Sequence, residues 1–289
     1  MKKTFIFAIA MAMFFTACST DEPQQTETPG TRKGATITFF VDSTMIDLTT
    51  IAFTRALEAD GKAMTDLWVL DYIGSTLQQQ LHQTSSDEDF GKPTLNLAVG
   101  DHHIYFIASR GQGATLDTDA HTLTFTKVLD NFYKDYSISV TATTNGSRSV
   151  TLERVVTKLT TTITDAIPTG AATFNIIPAT WYYGIDYLTG EPTAAATDQI
   201  ITINIPASEI GKTDELLNVY GFSGADEWTT DVALNCKTAS GDILGTAALS
   251  DVPLKRNRIT SLSGPLFSMN GLTNVAILTD WLDAYTGTW

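Results

Sequence analysis

The sequence predicts an all-β protein, and three observations carry that expectation. Nearly every periodic segment alternates apolar and polar residues with period two, and the chain is rich in Thr, Val, Ile and aromatic residues. Turn-forming groups such as Asn145-Gly146, Pro168-Thr169-Gly170 and Ser240-Gly241-Asp242 punctuate the segments at short intervals. Many short strands at this spacing suggest two β-sandwich domains in tandem.

The first strand is expected over residues 35–41, where Ile37, Phe39 and Val41 point one way and Thr36, Thr38 and Phe40 the other. Further strands follow over 67–73, 94–97, 103–109, 122–125 and 136–142. Between them lie an acidic loop over 85–90, the Gly111-Gln112-Gly113 turn, and residues 128–133, which read as a short helix. The turn near 145–148 divides the chain, giving an N-terminal domain over 35–148 and a C-terminal domain over 149–268. Strands of the second domain are expected over 149–152, 158–164, 173–177, 200–205, 216–222, 232–237 and 258–262. The tail, 269–289, adds one more alternating piece, with Val275, Ile277 and Trp281 on one parity.

Ahead of the first strand, Lys2 and Lys3 precede an apolar run from Phe5 to Phe15 that closes in Thr16-Ala17-Cys18. The run is too short to span a bilayer and sits between a positive segment and a small-residue cleavage site, so 1–17 reads as a lipoprotein signal peptide. The mature chain would begin at Cys18, acylated on its thiol and amino group, with each buried CH2 contributing about 0.8 kcal/mol of membrane affinity. An ordinary secretory signal with a chance cysteine is the alternative. Residues 18–34, with Asp21, Glu22 and then Pro, Gln, Thr and Gly, form a solvated tether. Acidic residues just behind an acylated cysteine resemble the signal that sends some lipoproteins of Gram-negative anaerobes to the outer face of the outer membrane.

Charge narrows the partners. The net charge is −14, and loss of Lys2 and Lys3 takes the 18 basic residues to 16 against 32 acidic ones, or −16. Such a surface repels phosphate backbones, so nucleic acid is not an expected partner. Beyond Cys18 only Cys236 remains, so no intrachain disulfide is expected. Cys236 shares the face of Val232 and Leu234 and reads as a buried, inert thiol.

No enzyme chemistry stands out. His102 and His103 are neighbours in a strand and face opposite sides, while His82 and His121 fall in expected loops without ligand-spaced partners. Asp117-Thr118-Asp119 lacks the glycine and distal glutamate of a calcium loop, and neither a phosphate loop nor a nucleophile elbow occurs. No metal or cofactor is expected. The aromatic group Trp181, Tyr182, Tyr183 and Tyr187 is the candidate ligand surface, because aromatics stack on sugars and proteins alike, with core packing as the alternative.

An ordered set of segments resembles the fimbrillin superfamily, the type V pilus subunits of Gram-negative anaerobes, and within it the FimB-like minor subunit group. The set comprises Ser85-Ser86-Asp87-Glu88-Asp89-Phe90-Gly91, Leu95-Asn96-Leu97 with Gly100, and Tyr105-Phe106-Ile107-Ala108 with Gly111. It continues with Leu152-Glu153-Arg154-Val155-Val156-Thr157-Lys158, Asp165-Ala166-Ile167-Pro168, and 252–260 with Gly264 and Phe267. The resemblance implies two transthyretin-like β-sandwiches, other fimbrial subunits as partners, and an adhesive or biofilm role at the outer membrane or in a fimbrium. It also implies, for polymerising members, an arginine-specific cut after the first strand, here at Arg55, that lets a neighbour's strand replace it; anchor or minor members stay uncut, and Arg32 is the other arginine open to such a cut.

Burying Ile37, Phe39 and Val41 gives about 5–9 kcal/mol, and fixing the strand's backbone costs about 7–14 kcal/mol. Ladder hydrogen bonds return about 1 kcal/mol each, so the strand is held largely by its covalent tether. A donor needs alternating apolar residues and few charges; Val275, Ile277 and Trp281 qualify, and pairing of the tail within its own domain is the equal alternative. The competing function is a monomeric glycan-binding outer-membrane lipoprotein of a polysaccharide-uptake system.

Overall fold

Alternating sequence becomes strand along most of the chain. The structure is a computed structural model that describes residues 34–42, 64–268 and 276–278. Among these residues the fold is all-β; the only helical element is a 3₁₀ turn at Ala207–Glu209.

A three-stranded sheet runs in the order β4 (Thr94–Leu97), β1 (Ala35–Asp42), β9 (Ser147–Thr151). A five-stranded sheet faces it, ordered β10 (Glu153–Arg154), β8 (Asn131–Val140), β5 (Gly100–Ser109), β2 (Asp66–Ile73), β3 (Thr76–Thr84). Between them lies a core of Ile37, Phe39, Leu95, Leu97, Val69, Ile104 and Phe106. A second pair of sheets encloses another core, which includes Leu159, Phe174, Trp181, Leu234 and Leu262. One of these is ordered β16 (Glu215–Phe222), β11 (Val156–Ile163), β19 (Ile259–Gly264), β20 (Ala276–Leu278). The other is ordered β15 (Ile201–Asn204), β12 (Ala171–Pro178), β17 (Trp228–Thr238), β18 (Ile243–Leu254).

A fifth sheet joins strands from both halves: β14 (Glu191–Thr197), β13 (Thr180–Asp186), β7 (Thr122–Thr124), β6 (Thr115–Asp117). Its pairing of Gly184 with Thr124 requires glycine, since a Cβ there would lie 2.8 Å from the Thr124 methyl and 3.0 Å from the Leu123 carbonyl. Between this sheet and the outer face of the five-stranded one lies a third core with Trp68, Leu70, Tyr72, Tyr105, Phe125, Ile185 and Tyr187. Strand β2 is therefore covered on both sides. That explains why Leu67-Trp68-Val69-Leu70 is a continuous apolar run and not an alternating one.

The passage between halves falls at Val155, beyond the 145–148 turn, because β9 and β10 still pair with β1 and β8. Arg154 ties this passage down. Its guanidinium donates to Asp130 from Nε at 2.7 Å and Nη2 at 2.9 Å, and from Nη1 to Asn257 Oδ1 at 3.1 Å.

Two expectations are corrected. Residues 128–133 are not a helix: Val128 packs into the third core, and β8 begins at Asn131, where register with β5 begins. His82 is not in a loop but in β3, where it stacks on Trp68 at 4.5 Å and meets Asp66 Oδ1 at 2.9 Å.

Candidate functional site

Strand β1 occupies the centre of its sheet rather than an edge. It pairs antiparallel with β4, from Ala35 opposite Leu97 to Thr38 opposite Thr94, and parallel with β9, from Thr38 opposite Ser147 to Asp42 opposite Thr151. Two further backbone bonds, Phe39 N–H to Pro93 O and Val41 N–H to Gly91 O, both 2.9 Å, extend the β4 side. Alternation sends Ala35, Ile37 and Phe39 inward, where Ile37 and Phe39 have no exposed surface, and leaves Phe40 44% exposed on the outer face. Phe39 is edge-on to Tyr136 at 5.6 Å and tilted against Phe106 at 5.4 Å. Val41 is half-buried against the same core.

The margins of this position are held by contacts that do not involve β1. The Gln79 side chain pairs with Asn96 like a peptide unit, donating to its carbonyl at 2.5 Å and accepting its N–H at 3.2 Å, which closes the outer edge of β4. His102 spans from Asp71 Oδ1, 2.6 Å from Nδ1, to the Ala98 carbonyl, 2.9 Å from Nε2. Both side chains of the His102–Asp71 pair are fully buried, and burial pushes the Asp71 carboxyl up despite the opposing pull of His102. On the other margin, β9 runs into β10 and the Arg154–Asp130 pair. Removing β1 would leave two open ladders and an apolar slot between supported strands.

A second arrangement sits where β11 ends. The Asp165 carboxylate accepts the N–H groups of Leu266 at 2.9 Å and of Phe267 and Ser268 at 2.7 Å each, and the Ser268 hydroxyl at 3.1 Å. Burial works against the charged carboxylate, yet these donors outweigh it and hold Asp165 below its ordinary value. Sequence reading did not assign a role to Asp165, Gln79 or the Asp71–His102 pair, since each depends on a partner distant in the chain.

The expected ligand surface is corrected. Trp181 and Tyr187 are fully buried; the Trp181 indole donates to the Tyr220 carbonyl at 3.1 Å, and the Tyr187 and Tyr72 hydroxyls meet at 2.9 Å. Tyr182 and Tyr183 are half-buried, with Tyr182 edge-on to Trp228 at 5.4 Å. Aromatics of β13 lie between packed sheets, so core packing consumes them. Cys236 is fully buried, and burial pushes its thiol up to about 11. Asp117 Oδ1 accepts the N–H groups of Asp119 and Ala120, both at 2.9 Å, closing a plain turn. Cys18, Arg32, Arg55, Val275 and Trp281 lie outside the described residues. Ile277 falls in β20, whose backbone pairs antiparallel with β19 opposite Thr260.

A family of unknown function (DUF6562) matches residues 103–288. No curated protein matches the chain. Among solved structures, a candidate adhesin from Bacteroides ovatus is 9% identical over 82% of this chain and 88% of its own, with a TM-score of 0.50. A second candidate adhesin from the same species is 11% identical over 74% of this chain and 75% of its own, at 0.47. The fimbrial anchor protein Mfa2 from Porphyromonas gingivalis is 10% identical over 75% and 82%, at 0.40.

Proposed function

The chain belongs to DUF6562, a family of unknown function, and we propose that it serves as a fimbrial subunit, a lipid-anchored surface protein that joins its neighbours by strand exchange. The observation that carries this reading is the position of β1: the first strand of the fold lies between β4 and β9, with Ile37 and Phe39 buried beneath it. An edge strand would expose one ladder when lost, whereas this one exposes two and an apolar groove, the template that an alternating donor strand needs. Support on both margins favours a slot that keeps its shape. The chain's sandwiches are transthyretin-like, Cys18 carries the acyl anchor, and adhesion is the outcome. The donor would be the tail around Val275, Ile277 and Trp281. Among the described residues, the tail pairs with its own β19 at Ile259–Leu278, Thr260–Ile277 and Ser261–Ala276, the pairing that a move into a neighbour's slot would give up.

The test is limited digestion of the purified chain with an arginine-specific protease, followed by N-terminal sequencing and electrophoresis without boiling. A new terminus at Ala56 with a ladder of multimers is expected, and Arg55→Ala should abolish both. A chain that is cut at Arg55 and stays monomeric would defeat the proposal.

A further inference from the structure

We infer that the fold is built to carry tension between its two ends, each half acting as a shear clamp. In the first half, β1 and the last long strand of that half, β9, run parallel over five residue pairs, Thr38–Ser147 to Asp42–Thr151. The second half repeats the device: β11, with which it begins, runs parallel to β19 over six pairs, Lys158–Ile259 to Ile163–Gly264. A pull on the chain ends draws the N-terminal end of one strand and the C-terminal end of its parallel partner in opposite directions along the strand axis. Every ladder bond between them is then loaded together. In an antiparallel hairpin pulled at its open ends, the bonds fail one after another.

The load path has little slack. From β9 it passes through Glu153 and Arg154, paired with β8, to Val155, whose N–H donates to Asn131 O at 3.0 Å and whose carbonyl accepts Ser223 N–H at 3.1 Å. Arg154 bonds Asp130 on one side of this passage and Asn257 on the other. At the far end the second clamp continues past its ladder, with Thr164 N–H bonded to Gly264 O at 3.0 Å and the Asp165 carboxylate gripping Leu266, Phe267 and Ser268. These charge-assisted bonds lie where the chain leaves β19, so they resist the same shear. The shared sheet and third core join the halves between the clamps. Tension bearing of this kind does not depend on strand exchange.

Single-molecule stretching of the full chain, held by handles at its two ends, tests the inference. After early release of β20, two abrupt ruptures are expected. One frees the chain between Asp42 and Ser147, about 380 Å of contour, and the other frees that between Ile163 and Ile259, about 350 Å. Asp165→Asn should lower the force of the second by about a third, because its charge-assisted bonds act beside a six-pair ladder, and leave the first unchanged. With handles moved to E227C and K255C, flanking the open ends of the antiparallel β17–β18 pair, the otherwise unaltered chain should yield at clearly lower force. Gradual extension of the end-held chain, end-loaded forces no higher than those across β17–β18, or a folded D165N chain with both ruptures unchanged would each overturn it.

Discussion

Phe39→Ala offers the sharpest test of whether β1 is a separable part. The ring has no exposed surface and touches Phe106 and Tyr136, so truncation removes its transfer free energy and opens a cavity, together about 3–5 kcal/mol. This loss falls on the opening of β1, each 1.4 kcal/mol being about tenfold in its opening equilibrium constant. The opening constant should rise by roughly two to three and a half powers of ten. Hydrogen exchange of the full chain, followed by mass spectrometry, reads it in peptides covering β4 and β9, whose ladder bonds to β1 are exposed when it leaves. Phe40→Ala is the control: it lies in the same strand on the outer face, 44% exposed, and should shift stability by no more than about 0.5 kcal/mol. If Phe39→Ala accelerated exchange equally in β11, β17 and β19, β1 would open only with the whole molecule, and the slot argument would fail. Equal effects of the two substitutions would be as damaging.

Asp130→Ala leaves the buried Arg154 guanidinium without its carboxylate and should cost about 3–5 kcal/mol in chemical denaturation, while adding Arg154→Met should recover much of that loss. Asp165 is held below its ordinary 3.8, so its contribution is complete above pH about 4 and is lost as pH falls through the folded-state value. Asp165→Asn should therefore be less stable than the parent at pH 7, by about 1–3 kcal/mol, and the two thermal-melt curves should converge in acid. With its thiol pushed up to about 11, Cys236 should ignore a disulfide reagent at pH 8 in a native Cys18→Ala chain and react fully in guanidinium.

Local alternation made much of the fold legible. Residues 94–97 form β4 as expected, and the strands over 35–41, 158–164 and 216–222 reappear within a residue or two as β1, β11 and β16. The strands that escaped have physical reasons to hide. In β3 the phase breaks at a bulge opposite Asp71 and Tyr72, so Leu77 joins the third core while Leu81 packs on the first, and the run of glutamines between them carries little β-preference. Strand β14 is an edge strand of Pro, Thr and Ala with Ala194 at φ 54°, and β18 carries two irregularities against β17 and Asp251 at φ 55°. The Trp181 group reads as a surface only if β13 is exposed, but β13 lies in the shared sheet, packed between cores and joined to strands far apart in sequence. The slot shows the same division. Ile37, Phe39 and Val41 announce a strand with one buried face, yet nothing local reveals that its partners are Thr94–Leu97 and Ser147–Thr151, or that one of them runs parallel.

That parallel partner sets two roles of β1 against each other. As the first element of a shear clamp, β1 passes load to β9 through five ladder pairs, and its covalent link to the chain that follows keeps the molecule in one piece once those pairs shear. As a removable plug, it must be severed after residue 42, and a clamp cut there parts for good when its ladder shears. A single subunit therefore performs one role or the other, and the state of the bond after Arg55 decides which. An acylated Cys18 at the mature terminus leaves the first clamp and its tether intact. A terminus at Ala56 requires the load to pass through a neighbour's strand lying in the same slot. Mass spectrometry of the mature protein isolated from cells distinguishes them. Stretching the Arg55-cut chain should then replace the first extension by detachment of the β1 fragment, which ends the trace. A β1 fragment that slipped off at negligible force would mean that β1 carries no load.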